Sequence, residues 1–202
     1  MLTDLPPGQV WARSWVVYSA LGTPEVDVDK WTLRVSGLVE VEKKYTYKQL
    51  LDMADVRYVK PFHCVTKWSI KDVEWRGVSL RKLLEASRIK KEGKWVMFLC
   101  ADGYSTPVPV EDVLSEDAIV ALEMDGKPLS VDQGFPARPF IPHLYGWKSA
   151  KWLTEVEVLP VYVDGYWEMY GYHERGLVWE EERFKGQGFK HSRRRAAGVI
   201  QR

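Results

Sequence analysis

The residue best suited to chemistry in this sequence of 202 residues is Cys64, one of only two cysteines. It lies where an apolar run meets a polar turn, in the segment Phe62-His63-Cys64-Val65-Thr66. A cysteine thiolate can bind a soft metal or act as a nucleophile. Cys64 and Cys100 both have apolar neighbours that are typical of small core residues, so position alone also allows a structural role.

Several common sites do not fit the sequence. A zinc site needs about four ligands, usually in close Cys or His pairs, whereas adjacent His63 and Cys64 would point to opposite faces of a strand. A cysteine nucleophile would need a histidine, for which His143 and His173 are candidates without a local signature. The sequence has no Gly-x-Ser-x-Gly, P-loop or Gly-x-Gly-x-x-Gly motif, which disfavours Ser/His/Asp hydrolases and classical nucleotide binding.

A second cluster of interest lies near residue 150. Arg138, Lys148 and Lys151 flank a glycine-containing turn, with Ser149 between the two lysines. Cationic side chains and the N–H groups of a turn together form an anion site, for which phosphate is the obvious ligand. Ordinary surface charge ahead of a strand is the alternative. Together with Cys64, this cluster indicates a bound metal cofactor that also carries a phosphate.

Composition narrows the class of protein. Hydrophobic residues make up 46% and charged residues 28% of the chain, as in soluble globular proteins, and the net charge is +1. The balanced charge gives no global field for nucleic acid or membranes. The N-terminus lacks a signal-peptide pattern, and no apolar stretch reaches the roughly 20 residues of a membrane span. We therefore expect a reduced, cytoplasmic protein, with a Cys64–Cys100 disulfide as the less favoured alternative.

The C-terminal residues differ from the rest of the chain. From Arg183 onward there are seven Lys or Arg residues and no Asp or Glu, including the run Arg193-Arg194-Arg195. We expect residues 183–202 to form a solvated basic tail. Binding of nucleic acid or an acidic partner by this tail is the less favoured alternative.

Hydrophobic periodicity predicts the elements that position these residues. Alternation or continuous apolar runs predict strands over residues 31–35, 59–65, 95–100, 119–124 and 152–159. Thr46 and Gln49 fit a capping box before a short helix, and Ser79 can cap a second helix. Asp125-Gly126 predicts a hairpin, and three prolines keep residues 134–142 extended or looped. Many short strands with few helices predict an α+β fold. The simplest division of the chain is one strand-rich domain over residues 1–182, built on a single mixed sheet.

The chain resembles the sulfite oxidase superfamily of molybdopterin oxidoreductases, and it looks most like the small sulfite oxidase-like proteins. Five motifs carry this resemblance in family order over about residues 13–184. They are Phe62-His63-Cys64-Val65-Thr66-x-Trp68-Ser69, Trp75-x-Gly77-Val78-x-Leu80-x-x-Leu83-Leu84, Ala101-Asp102-Gly103-Tyr104, Leu122-x-Met124-x-Gly126-x-Pro128-Leu129, and the run from Pro142 to Leu153 that contains His143, Gly146 and Lys148.

The resemblance implies that Cys64 ligates molybdenum, together with the dithiolene of a pterin cofactor. A thiolate suits such soft ligation, and the metal would keep it deprotonated. A tungsten form of the cofactor would use the same ligands. The resemblance also places His63 and Tyr104 near the reacting atoms. The implied cofactor contacts are Tyr18, Ser19, His63, Cys64, Cys100, Gln133, Arg138, His143, Lys148, Ser149, Ala150 and Lys151.

The expected activity is transfer of an oxygen atom or two electrons between the cofactor and a small substrate. True sulfite oxidases surround the metal with arginines, whereas Val65-Thr66-Lys67-Trp68 follows Cys64 here, so efficient sulfite oxidation is not expected. No Cys-x-x-Cys-His haem motif is present, so electrons would pass to or from a separate electron-transfer protein. The alternative function is a cofactor-binding carrier without catalysis.

Overall fold

The computed structural model describes residues 5–186 of the chain. Within them the strands are β1 (Val10–Trp11), β2 (Thr32–Gly37), β3 (Lys43–Thr46), β4 (Val56–His63), β5 (Trp68–Ser79), β6 (Trp95–Cys100), β7 (Ser105–Pro109), β8 (Ile119–Met124), β9 (Lys127–Pro128), β10 (Arg138–Phe140) and β11 (Leu153–Leu159). The helices are α1 (Tyr47–Met53), α2 (Leu80–Ala86), α3 (Val110–Val113) and α4 (Tyr166–Met169), with a 3-10 helix at Gly146–Lys148.

The first sheet has six strands and is organised around β5. Strand β4 pairs antiparallel with one edge of β5, and β1 and β8 share the other edge. Strand β8 also pairs with β9 and β10, and only the β1–β5 pairing is parallel. The β4–β5 hairpin closes through residues 64–67, so the loop that carries Cys64 lies at the end of this sheet.

The second sheet has five strands in the order β3-β2-β11-β6-β7. Only the pairing of β2 with β11 is parallel. Strand β10 belongs to the first sheet and β11 to the second, so the connection between them passes from one sheet to the other. This connection contains the 3-10 helix and, with it, Lys148, Ser149 and Lys151 of the predicted anion site, while Arg138 lies in β10.

The largest core cluster combines side chains from both sheets and from the helices. Leu33, Val96 and Phe98 come from the second sheet and Val120 from the first, and Leu50 of α1 joins them. A smaller cluster contains Phe62, Trp75, Ile119 and Phe140 of the first sheet, in which Trp75 and Phe140 stack with ring centroids 3.9 Å apart. Apolar burial of this kind is the main source of stability in the domain.

Several local predictions are confirmed. Thr46 and Gln49 form a complete capping box at α1, and the Ser79 side chain accepts a hydrogen bond from the Lys82 N–H at the start of α2. Leu80, Leu83 and Leu84 are the buried residues of α2. Asp125-Gly126 turns β8 into β9, both residues having positive φ. Residues 134–142 consist of turn, loop and the three-residue strand β10, without a helix, as expected from their prolines.

The α+β, strand-rich character is confirmed, but the prediction of one mixed sheet is wrong, because the strands divide into two sheets. Hydrophobic alternation identifies a strand without identifying its neighbours, which depend on contacts distant in sequence.

Arg183, predicted to start the basic tail, is buried in the domain. The remainder of that tail, residues 187–202, lies outside the described residues. No helix within residues 5–186 is both long and apolar enough to cross a membrane.

Candidate active site

A cavity of about 560 Å³ opens beside the β4–β5 loop. It is bounded by this loop, by residues 15–20 of the N-terminal segment and by the connection between β10 and β11. Nine of the predicted site residues line it: Tyr18, Ser19, Cys64, Tyr104, Gln133, Arg138, Ser149, Ala150 and Lys151. The two clusters found in the sequence therefore meet at one cavity, although about 75 residues separate them along the chain.

Cys64 is presented by a tight turn. Its N–H donates to the carbonyl oxygen of Trp68 at 2.9 Å, and its own carbonyl oxygen accepts from the Lys67 N–H at 3.1 Å. Lys67 has a φ of 78°, which lets the chain reverse direction into β5. The Cys64 Sγ lies 3.2 Å from the Thr66 hydroxyl oxygen, and the thiol is partly exposed to the cavity. A ligand in the cavity can therefore reach the sulfur.

Two side chains from opposite ends of the described chain brace this turn. The Gln9 Nε2 donates to the carbonyl oxygens of Cys64 at 3.0 Å and Trp68 at 3.3 Å. Arg183 donates to the carbonyl oxygen of Val65 at 2.5 Å and to the Gln9 Oε1 at 3.2 Å. Both side chains are buried, so their polar groups depend on these contacts. These hydrogen bonds consequently hold the backbone of the Cys64 turn in place.

His63 supports the turn from within the protein. Its Nδ1 lies 2.8 Å from the Ser69 Oγ, which also accepts a hydrogen bond from Gln9. The side chain is buried and does not line the cavity. Burial lowers the pKa of His63 to about 4, so the imidazole is neutral near pH 7. The contacts of His63 thus connect it to the loop rather than to a ligand.

Arg138 supplies buried positive charge to the cavity. Its Nε donates to the Ser149 hydroxyl at 2.9 Å, and its two Nη atoms donate to the carbonyl oxygens of Gln133 at 2.9 Å and Ser149 at 2.7 Å. Burial lowers the pKa of Arg138 to about 10, which leaves the guanidinium charged near pH 7. Three of its five N–H groups make these bonds, so two remain for a ligand.

Lys151 is the second cation of the cavity. Its Nζ donates to the Ser19 hydroxyl at 2.7 Å and to the Asp132 carbonyl oxygen at 3.2 Å, and it lies 4.4 Å from the Trp152 ring centroid. Burial and the nearby Arg138 charge lower the pKa of Lys151 to about 8. The ammonium group is therefore charged near pH 7, at a position where it connects the N-terminal segment to the rest of the cavity wall.

Lys148 does not join the other two cations. Its Nζ donates to the Glu168 carboxylate at 2.6 Å and to the carbonyl oxygens of Pro107 and Glu174 at 2.7 and 2.6 Å. These three acceptors use all three N–H groups of the ammonium. The side chain is buried and outside the cavity lining. Lys148 thus has no N–H left to bind a cofactor phosphate.

Three further predicted residues do not offer a free polar group to the cavity. Burial raises the pKa of the Cys100 thiol well above its ordinary value, and this thiol does not line the cavity. The Tyr104 hydroxyl donates to the carbonyl oxygen of Trp147 at 2.7 Å, so its edge of the cavity is mainly the ring. His143 lies outside the lining, with its Nε2 2.8 Å from the Asp112 carboxylate.

The sequence did not reveal that Gln9 and Arg183 hold the Cys64 turn, or that several aromatic side chains line the cavity. Gln9 lies in a Pro/Gly segment without periodicity, and nothing in its neighbourhood indicates a contact with residue 64. Trp15, Trp167 and Tyr172 line the cavity from irregular segments and a four-residue helix. Their only signal is the high aromatic content of the chain, with ten Trp and ten Tyr residues.

The accessible Cys64 thiol and the cations Arg138 and Lys151 line the same cavity. The sequence motifs predict this arrangement. The model of the oxidoreductase molybdopterin-binding domain matches residues 20–167 of this chain. The chain belongs to this family. It is accordingly a sulfite oxidase-like molybdopterin-dependent oxidoreductase, and molybdenum cofactor is the group that such a domain binds.

Individual relatives agree with the assignment to this family. The chain is 35% identical to the uncharacterized oxidoreductase YuiH of Bacillus subtilis over 89% of this chain and 91% of that protein. It is 33% identical to the putative protein-methionine-sulfoxide reductase subunit YedZ1 of Azospira oryzae, over 74% of this chain and 56% of the relative. It is 28% identical to an NADH nitrate reductase of Lotus japonicus, of which it covers 20%.

A solved structure shares the fold. The sulfane dehydrogenase SoxCD of Paracoccus pantotrophus superposes with a TM-score of 0.63 and 24% identity, over 69% of this chain and 41% of that chain. The chain therefore matches YuiH over most of its length, and only part of the larger relatives and of the SoxCD chain.

The residues of the cavity fit the cofactor of the family. Cys64 offers a soft sulfur ligand, while Arg138 and Lys151 offer hydrogen-bond donors and positive charge for a phosphate. Gly146 packs directly against the Phe62 ring, and a Cβ at this position would collide with that ring. The donor chemistry and the shared cavity thus agree with a metal-pterin group that carries a phosphate.

Proposed function

We propose that this protein transfers an oxygen atom or two electrons between molybdenum cofactor and a small substrate, with Cys64 as the protein ligand of the metal. The observation that carries the proposal is that the accessible thiol of Cys64 shares one cavity with Arg138 and Lys151. A thiolate and a phosphate site in one cavity match the two ends of this cofactor.

Each part of the cavity has a defined task in this proposal. Cys64 provides the thiolate, and the turn braced by Gln9 and Arg183 holds it in place. Arg138 and Lys151 bind the phosphate, and Ser149 orients the Arg138 guanidinium. The bound cofactor supplies the redox chemistry itself. The protein supplies anchoring, access and the polarity of the surroundings.

Electrons have to enter or leave through a partner. The sequence contains no Cys-x-x-Cys-His motif, so it encodes no haem of that type. We propose a separate electron-transfer protein as the partner. A tungsten cofactor would engage the same thiolate and the same cations, and metal analysis of the purified protein distinguishes the two metals.

The proposal is tested by measuring metal and pterin in protein purified from a host that makes the cofactor. We expect roughly one molybdenum or tungsten atom and one pterin per chain. Cys64→Ser should lose turnover and most of the metal while keeping part of the pterin, because Arg138 and Lys151 remain. Cys100→Ser removes the other thiol and should retain both.

Two results would contradict the proposal. One is a wild-type protein with neither metal nor pterin after expression in a competent host. The other is a Cys64→Ser variant that keeps wild-type metal content and activity, or that loses no more metal than Cys100→Ser, because either outcome would make the assignment of Cys64 as the ligand wrong.

A further inference from the structure

The walls around Cys64 bear on the substrate class. We infer that the substrate is an uncharged molecule with an apolar or aromatic body, and not an oxyanion. This inference rests on the proposed function, because it concerns the substrate of the same cavity. It is carried by the surroundings of the thiol, by the charges of the cavity and by the surface at its mouth.

The thiol lies between two apolar clusters. On one side Cys64 packs against the cluster that contains Phe62, Trp15 and Trp68. On the other side it packs against the cluster that contains Trp147 and Tyr172. Aromatic faces of this kind favour apolar and aromatic ligands through burial of surface and ring packing. Nine of the residues that line the whole cavity are aromatic.

The charges of the cavity balance one another. Among the described residues that line it, the cations are Arg138 and Lys151 and the acids are Asp102 and Asp132. In the proposed function both cations bind the phosphate of the cofactor. Lys148 is neutralised by Glu168 outside the cavity, and Lys67 is not in the lining either. No cation of the described cavity lining therefore remains to compensate an anionic substrate, and burying an unpaired charge is costly.

The mouth of the cavity continues this apolar surface. Val16, Val17 and Tyr18 line the cavity and are between 56% and 64% exposed, which is unusual for neighbouring residues of these types. Tyr18 also approaches Trp167 from across the cavity, with ring centroids 6.2 Å apart. An approaching molecule would therefore meet apolar and aromatic groups before it reaches the thiol.

Calorimetric titration of the cofactor-loaded full-length protein, in which the cofactor phosphate occupies Arg138 and Lys151, tests this inference with three probes. Methyl phenyl sulfone is uncharged, benzenesulfonate has the same aromatic ring with a negative charge, and sulfate is an oxyanion without the ring. We expect the sulfone to bind at least about tenfold more tightly than benzenesulfonate, because the anion loses hydration without gaining a cation. Sulfate should bind more weakly than either aromatic probe.

A matched pair of substitutions locates the effect. Val17→Lys adds a cation at the mouth and should tighten benzenesulfonate binding by roughly threefold or more at low salt, since opposite charges attract within about a Debye length. Val161→Lys changes an equally exposed valine outside the cavity lining and should have no effect. The full chain is used in each case.

Several outcomes would overturn the inference. These are benzenesulfonate or sulfate binding as tightly as the sulfone, no binding of the sulfone, or equal effects of the two lysine substitutions. Metal and pterin content is measured on the same samples and decides the proposed function separately. A protein with full cofactor content that prefers the anions would keep the proposed function and exclude the uncharged substrate.

Discussion

The Gln9 side chain donates a hydrogen bond of 3.0 Å to the carbonyl oxygen of Cys64, which lies 55 residues later in the chain. Gln9 also accepts a hydrogen bond from the buried Arg183. The turn that presents the thiol is therefore held by residues near both ends of the described chain. This arrangement makes the environment of Cys64 dependent on the whole domain and not only on the β4–β5 hairpin.

Gln9→Leu should loosen this turn. The substitution removes the donor to Cys64 and leaves Arg183 with an unpaired N–H, and it should lower the free energy of unfolding by about 1–3 kcal/mol. The Cys64 thiol of cofactor-free protein should also react faster with iodoacetamide. Urea denaturation and mass-spectrometric alkylation kinetics measure the two effects.

Gln49→Leu is the matched control for this substitution. Gln49 accepts one hydrogen bond at the start of α1 and is exposed, so its loss should cost less stability. Alkylation of Cys64 should not change in this variant. Equal alkylation rates in wild type, Gln9→Leu and Gln49→Leu would show that Gln9 does not restrain the turn.

A second prediction concerns the buried ion pair of Lys148 and Glu168, whose side chains are 2% and 0% exposed. Lys148→Met leaves the Glu168 carboxylate buried without its cation and should cost about 3–5 kcal/mol of stability. Lys148→Met combined with Glu168→Gln removes both charges and should recover much of this loss. Lys185→Met breaks a partly exposed pair with Asp164 and should cost about 1 kcal/mol or less. Similar losses for both single lysine variants would contradict the role of burial.

Local features of the sequence predicted much of this molecule. The alternation of Leu33 and Val35 and the capping box of Thr46 depend on residues a few positions apart, and the structure has both features. The chemistry of Cys64 and the charge of Arg138 likewise follow from residue type, and the structure brings these two residues to one cavity.

Long-range features could not be predicted in this way. Gln9 and Arg183 are 174 residues apart, and no periodic pattern connects them. Lys148 and Lys151 are neighbours in one cationic turn, yet Lys148 faces the buried Glu168 and Lys151 faces the cavity. The direction of each side chain depends on backbone geometry and on distant partners, which residue types alone do not define.

A third prediction is that the stability of α1 can be lowered without changing cofactor binding in the cavity. The Thr46 side chain accepts a hydrogen bond from the Gln49 N–H at 3.2 Å. Thr46→Ala should therefore lower the free energy of unfolding by about 1 kcal/mol. Neither Thr46 nor Gln49 lines the cavity, so metal and pterin content should be unchanged. Thermal denaturation and metal analysis of one preparation measure both quantities, and loss of cofactor without loss of stability would contradict this separation.

The last prediction follows from the pKa of Lys151, which burial and the Arg138 charge lower to about 8. Below about pH 7 the amine is charged and can bind an anion, and above about pH 9 it is neutral. The affinity of cofactor-free protein for phenyl phosphate should therefore fall as the pH rises through about 8, by up to roughly tenfold. Phosphate monoesters lose their second proton near pH 6, so the charge of the ligand itself changes little over this range.

Two variants test the assignment to Lys151. Lys151→Arg keeps its charge and should flatten the dependence of the affinity on pH, whereas Lys151→Met should bind phenyl phosphate weakly at both pH values. Calorimetry at about pH 7 and about pH 9.5 measures these affinities, and an unchanged pH dependence in Lys151→Arg would show that another group controls anion binding.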